Sequence, residues 1–338
     1  MSLKTFISKT SKTGEEGIIL KKYRALEKIK SFFVSVMRLL ILCSIGYVVL
    51  YPLMYMITSA IRTGESYYDP TITWLTSKVT VQNFKFANEA MRYFTSLKNT
   101  VFYELVAALL QLISCAIVAY GFARFDFKEK KFLIVILFIT IMLPVQATML
   151  PSYVNYSHLD FLGILGKVNE WTGVDLRPNI TNGPLAFWLP SFFGVGLRSG
   201  IIIFIYTQFF KGLPRELEEA AWIDGSGPIN TFIKIAIPSS SVVIFTNLIF
   251  SFIWHWNDYY LAAMYLKDKQ HFTLAVSLGE VKNTLETMRF SFGESTNSAA
   301  AVSVIMASCV LYVLPMLIMY IFVQSKFVKS IDRVGITG

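Results

Sequence analysis

"ELEEAAWIDGSGPINTFIKIAIP" occupies residues 216–238, and its reading decides what kind of molecule this is. It opens with Glu216, Glu218 and Glu219, is broken by Gly225 and Gly227, and closes on Pro238. Apolar runs flank it, "SGIIIFIYTQFF" (199–210) before and "SSSVVIFTNLIFSFIW" (239–254) after. Carboxylates near a helix start are favoured by the helix dipole, and Pro214 suits a first helical turn, where a missing N–H costs nothing. Leu217, Ala220, Ala221 and Asp224 then fall on one face at i, i+3, i+4 and i+7. Two adjacent alanines keep that face shallow enough for another protein to approach closely. Gly225 supplies the left-handed turn that ends a helix. Ser226 and Pro228 start a second helix, running through Phe232 and Ile235 to Pro238. The pattern predicts a helix-turn-helix with a small acidic surface. From these residues alone, an ordinary solvated connector accounts for it equally well.

The surroundings say where such a loop would sit. The chain is 54% hydrophobic and only 16% charged over 338 residues, with a mean hydropathy of +0.53. Soluble domains carry about a quarter charged residues, so this composition leans towards a membrane protein, and the lengths of the apolar runs make it an all-α polytopic one. The apolar runs 32–61, 100–123, 132–154, 194–212, 239–264 and 299–324 predict six transmembrane helices, with Pro52 kinking the first. In the fourth, Arg198 near one end would extend its stem to the interface, and the preceding "LAFWLPSFF" (185–193) is expected to lie in the interface. The organisation follows: a basic tail over 1–31 with a short interfacial helix, a six-helix domain over 32–325 whose loop spans 211–238, and a C-terminal tail over 326–338. Lys and Arg crowd the tail, the turn "RFDFKEKK" (124–131), the loop and "SKFVKSIDR" (325–333). By the positive-inside rule both termini and the loop face the cytoplasm. The net charge of +9 is thereby read as topology, Arg124 included, and nucleic acid is not expected as a partner.

Several chemistries are excluded. Cys43, Cys115 and Cys309 lie in apolar runs without a CxxC spacing, and three scattered histidines hold out no metal site. A triphosphate needs GxxxxGK[ST]; the nearest text, "GILGKV" (163–168), has the wrong glycine spacing and Val after its Lys. No catalytic residues, metal ligands or bound cofactor are expected on this chain.

The order Glu219-Ala220-Ala221, three residues, Gly225, nine residues, then Ile235, Ala236, Ile237 and Pro238 resembles the EAA loop of bacterial ATP-binding-cassette importer permeases, in the spelling of the carbohydrate importers. "YPLMYMITSAIR", "AYGFARFDFKEKK", "MLPVQATMLPSY", "FIYTQFFKGLP" and "SFIWHWNDYYLAAMYLKD" follow that family's order from about residue 45 onwards. The loop around 157–183 is longer than usual in it, and the C-terminus reads "IDRVGITG" rather than the commoner Lys-Gly ending. The resemblance implies the type I importer permease fold in a bacterial cell membrane. It also implies a second permease as heterodimer partner, two cytoplasmic ATPase subunits that hold ATP and Mg, and an extracellular solute-binding protein. Glu216, Glu219, Ala220, Ala221, Asp224, Gly225, Ile235 and Pro238 would then form the element that docks on the ATPase.

The sugar route is expected near "WHWNDYY" (254–260), because sugars stack on aromatic rings and hydrogen-bond to amides and carboxylates. Trp254, Trp256, Asn257 and Asp258 are the candidates, with Gln146 between Pro144 and Pro151 a further one; an aromatic belt with structural hydrogen bonds is the competing reading. Two other functions stay open at this point. One is an ATP-driven permease for a non-sugar solute. The other is an ion-coupled secondary transporter, for which Glu104 and Asp258 are the available ionisable residues.

Overall fold

A computed structural model of the chain describes residues 14–63, 66, 78–160, 163–292 and 298–335. The first thirteen residues of the basic tail, most of the stretch 64–77 and residues 336–338 lie outside these. The chain divides into two units, residues 1–58 and 59–338.

The described residues of the first unit form one helix. α1 (Gly14–Ala60) runs 47 residues, about 70 Å at 1.5 Å per residue, and its last residues belong to the second unit. The short interfacial helix expected in the tail is therefore not separate: Ile19, Tyr23, Leu26 and Lys30 belong to the same continuous rod. The helix also runs unbroken through Pro52. Phe32, Leu40, Ile45 and Val48 find no core within this unit, as suits a helix whose solvent is lipid.

The second unit is built around α3 (Tyr93–Arg124), which follows α2 (Gln82–Met91) after the left-handed residue Arg92. Small residues at Ala107, Ala108, Ala116, Ala119 and Ala123 let neighbours approach the α3 backbone closely. Along its C-terminal half, α3 packs on α8 (Ser199–Gly212) through Leu112, Ala116 and Tyr120 against Ile202, Tyr206 and Phe210. Near its N-terminal end, Tyr103 and Ala107 pack on Ala186 and Phe187 of α7 (Leu185–Phe192). The α7 segment, expected merely to lie in the interface, is thus part of the core. Trp188 Nε1 donates to the Tyr103 carbonyl (3.1 Å) and Ser114 Oγ to the Ser191 carbonyl (2.7 Å).

A buried amide ties the centre together. Gln111 Nε2 donates to the Leu197 carbonyl and to Ser199 Oγ, both at 2.7 Å, and its Oε1 accepts from Ser251 Oγ at 2.5 Å. Ser251 belongs to α12 (Ser241–Trp256), so one side chain of α3 ties together the start of α8 and the middle of α12. Polar groups at membrane depth are costly to bury, and mutual hydrogen bonds of this kind lower that cost.

Three of the expected spans are not simple rods. The third breaks between α4 (Lys130–Met142) and α5 (Val145–Ser157), which meet at 103°. Pro144 at the N-cap of α5 donates no N–H, and its ring pushes Leu143 into extended backbone, so the chain turns sharply rather than bending. The fourth is shorter than its apolar run: Gly194–Arg198 is not helical, and the 14 residues of α8 reach about 21 Å, less than the ~30 Å of hydrocarbon. Arg198 takes a left-handed φ of 55° as the N-cap and lies over the Trp254 ring, 5.1 Å from its centroid. The fifth bends by 78° ahead of α12. Among the described residues three helices are long and apolar enough to cross a membrane, or five if each bent pair counts as one span. The last of them, α15 (Ser298–Gly335), continues without a break into the expected C-terminal tail. Between the spans lie α6 (Ile164–Thr172), capped by Asp160, whose carboxylate accepts from the Leu165 and Gly166 N–H groups, and α14 (Leu274–Phe292).

Candidate functional site

The opening stretch folds as a helix-turn-helix. α9 (Glu216–Ile223) starts after Arg215, whose carbonyl accepts from the N–H groups of Glu218 and Glu219 at 2.9 and 3.0 Å; Pro214 lies just outside it. The glutamates of the first turn face the positive end of the helix dipole. The C-terminus closes by two backbone bonds, Ser226 N–H to the Ala221 carbonyl (2.9 Å) and Gly225 N–H to the Trp222 carbonyl (3.0 Å). This 6→1 and 5→2 pair requires a left-handed residue at Gly225, where φ is +82°.

After it come α10 (Pro228–Thr231), a π-helical turn over Phe232–Ala236 and α11 (Ile237–Ser239). Pro228 opens α10 and Pro238 sits in α11, where its missing N–H leaves a carbonyl of the preceding turn free; the widened π turn lies directly before it. Ser240 closes the segment with its Oγ donating to the Ala236 carbonyl at 2.5 Å.

Glu216, Glu219, Ala220, Asp224 and Gly225 are exposed, Ala221 and Ile235 half-buried, and Pro238 exposed. The surface is not only acidic. Leu217, Trp222, Ile223 and Ile229 are also exposed, Ile223 to 86%. Large apolar side chains exposed among carboxylates are a composition that suits contact with another protein. These four large apolar residues, in a loop otherwise rich in charge and glycine, were the available signal for it.

Glu218 is not on that surface. It is buried, and its Oε1 accepts from Arg124 Nε at 2.9 Å, with the two side chains 3% and 5% exposed. Arg124 Nη2 donates to the Leu213 carbonyl at 3.0 Å. Arg124 is therefore no free topology charge, and the reason is local: α3 ends beneath α9, so its last side chain is covered by the loop. Removing one partner of a buried pair leaves the other charge uncompensated, a loss of about 3–5 kcal/mol. On the adjoining turn, Lys130 Nζ lies 2.9 Å from Asp126 Oδ1 and, with Arg215 nearby, holds the Asp126 carboxyl below its usual range.

The residues expected along a sugar route have different surroundings. Trp254 stacks on Phe250 (5.8 Å between centroids) beneath Arg198. Trp256 is 2% exposed and packs among Ala90, Met91, Tyr93, Leu274 and Val281. Asn257 is exposed at the end of α12; its Nδ2 donates to the Ile253 carbonyl (2.9 Å) and its Oδ1 accepts from Tyr312 Oη (3.1 Å). Asp258 Oδ1 accepts from the Leu261 N–H at 3.1 Å, at the start of α13 (Tyr260–Tyr265). Gln146 is exposed on α5, a different element. No group of His, Cys, Asp and Glu suited to a metal is present among the described residues.

Comparison with known proteins bears on this geometry. The chain is 27% identical over 297 residues to the arabinooligosaccharides transport system permease protein AraQ of Halalkalibacterium halodurans, covering 87% of this chain and 93% of that one. It is 24% identical over 302 residues to the maltodextrin transport system permease protein MdxG of Bacillus subtilis, covering 88% and 95%. The fold matches a chain in the crystal structure of a bacterial ABC transporter involved in import of the acidic polysaccharide alginate, with a TM-score of 0.66 at 20% identity over 94% of this chain and 100% of that one. Residues 85–331, most of the chain, match the family described as binding-protein-dependent transport system inner membrane component. The helical body around α3 and the loop between α8 and α12 both fall within that match, and the chain belongs to this family: it is a membrane permease subunit of an ABC importer, not an enzyme.

Proposed function

We propose that this permease imports an oligosaccharide or related carbohydrate, and that residues 216–238 couple it to a cytoplasmic ATPase. The observation that carries the coupling is the exposure, on α9 and its turn, of Glu216, Glu219 and Asp224 together with Trp222, Ile223 and Ile229. Opposite charge on an ATPase groove would orient and select such a surface. Sugar as cargo is supported by relatives named for arabino-oligosaccharide and maltodextrin transport. The working assembly in this reading is a second permease, two ATPase subunits that bind ATP and Mg, and an extracellular solute-binding protein. The chain crosses six times, with α8 as a short fourth span helped by Gly194–Arg198, and leaves both termini in the cytoplasm.

The test is uptake by the purified assembly in liposomes. Sugar uptake is expected to require internal ATP and the ATPase subunits, and to ignore proton or sodium gradients. Uptake by this chain alone down an ion gradient would instead favour the secondary-transporter reading, in which Glu104, buried with its Oε2 unpartnered, would be the working carboxylate.

Within this reading Trp254, Trp256, Asn257, Asp258 and Gln146 remain the candidate sugar contacts, and burial separates them. Truncating Trp256 removes a core ring at a cost of about 3–5 kcal/mol, so its loss of transport would be uninformative. Asn257→Ala is the clean variant. It is expected to lower uptake with assembly intact; unchanged uptake would leave Asn257 as the partner of Tyr312 and nothing more.

A further inference from the structure

We infer that the buried Arg124–Glu218 ion pair is the joint through which the loop moves α3, so that these two are positioning residues for transport. The inference rests on residues 216–238 being the coupling element, and adds where the motion goes next. The covalent routes out of α9 are compliant at one side: towards α12 the chain passes through a glycine turn, a π-helical turn and a 78° bend. Towards α3 the connection is direct. One guanidinium bonds Glu218 within α9 and the Leu213 carbonyl at the entry to the loop. Four residues earlier on α3, the Tyr120 ring packs on Phe232 (4.8 Å between centroids) and Phe210 (5.5 Å), gripping the second half of the loop as well.

What α3 receives it can pass on. The helix has no proline between Tyr93 and Arg124, and Gln111 in its middle bonds Leu197, Ser199 and Ser251. A displacement of α9 thus reaches the start of α8 and the middle of α12 through a single rigid element. Stability alone does not explain why the joint is ionic. Well-packed apolar residues generally serve a buried position as well as an ion pair does, whereas a directional charged bond fixes one register.

The test uses the whole importer in liposomes and reads sugar taken up per ATP hydrolysed, alongside ATPase capture. A merely structural role would lower uptake and hydrolysis in proportion and leave their ratio unchanged. Glu218→Gln keeps the shape and removes the charge; the ratio is expected to fall about tenfold, within the ordinary range of coupling between sites, with ATPase capture at the wild-type level. In a chain with Cys43, Cys115 and Cys309 replaced by Ser, the pair Arg124→Cys and Glu218→Cys is expected to be uncoupled until a short thiol cross-linker ties the positions, and then to recover. A normal ratio in Glu218→Gln overturns the inference. So does failure of the tether to restore coupling, or loss of ATPase capture in Glu218→Gln, which would place the pair's effect on the docking surface. Should Glu218→Gln not assemble, the tethered pair decides. Absence of ATPase capture by the unaltered chain is a different result, and would remove the coupling reading of the loop itself.

Discussion

Glu219→Lys is expected to abolish sugar uptake and release the ATPase from the permease, while the protein still inserts in the membrane. Glu219 is exposed on α9, so a lysine there costs the fold only the favourable placement of a carboxylate in the first helical turn, roughly 0.3–1 kcal/mol. Facing a basic groove, the new cation replaces attraction by repulsion. Juxtaposed like charges at an interface cost several kcal/mol, which corresponds to a loss of roughly 100-fold or more in affinity. Glu219→Gln removes the charge without reversing it and should retain partial capture. Pull-down of the ATPase from detergent extracts, set beside uptake, measures both. Wild-type capture and uptake in Glu219→Lys would mean that the loop is only a connector.

Gly225→Val attacks the same element through its backbone. The φ of +82° is required by the closing bonds from Gly225 and Ser226, and no atom lies within 4 Å of the position a Cβ would take. The penalty is therefore torsional and not a matter of crowding. A left-handed conformation costs an ordinary L-residue roughly 1–2 kcal/mol, and a β-branched one more. Each short helix is anchored on its own, α9 through Glu218 and α10 through the buried Thr231, so the strain falls on the turn between them and the two helices should be misaimed. Uptake and transport-linked ATP hydrolysis are expected to be lost in Gly225→Val and reduced less in Gly225→Ala. Equal effects of the two would point to contact at the site, not backbone geometry. Neither variant should alter the yield of membrane-inserted protein.

Local chemistry makes α9 and its turn legible in the sequence: carboxylates at the helix start, Gly225 at its end and Pro228 at the next start are all short-range rules, and each holds. The membrane body is legible in composition and in its apolar runs, but not in geometry. An apolar run counts residues and does not mark where helix begins, so 194–212 reads as a full span although its first five residues are not helical. Pro144 announces a bend, yet only packing settles that α4 and α5 meet at 103°. The Arg124–Glu218 pair joins residues far apart in the chain, and both belong to charge clusters whose simplest reading is solvated. Trp256 illustrates the same limit, since a tryptophan near a helix end reads alike as interface belt, sugar platform or core, and only the surrounding Met91, Tyr93 and Leu274 place it in the core.

The claim that residues 216–238 meet an ATPase requires that they face the cytoplasm, and labelling of engineered cysteines in intact cells measures this directly. Thr172, at the end of α6 between the third and fourth spans and so on the outer side in the proposed topology, and Ser226, in the turn after α9, are the two sites to compare, in a background with Cys43, Cys115 and Cys309 replaced. A membrane-impermeant thiol reagent added outside is expected to modify Thr172→Cys and to leave Ser226→Cys untouched until the cells are opened. Modification of Ser226→Cys from outside intact cells would contradict the account.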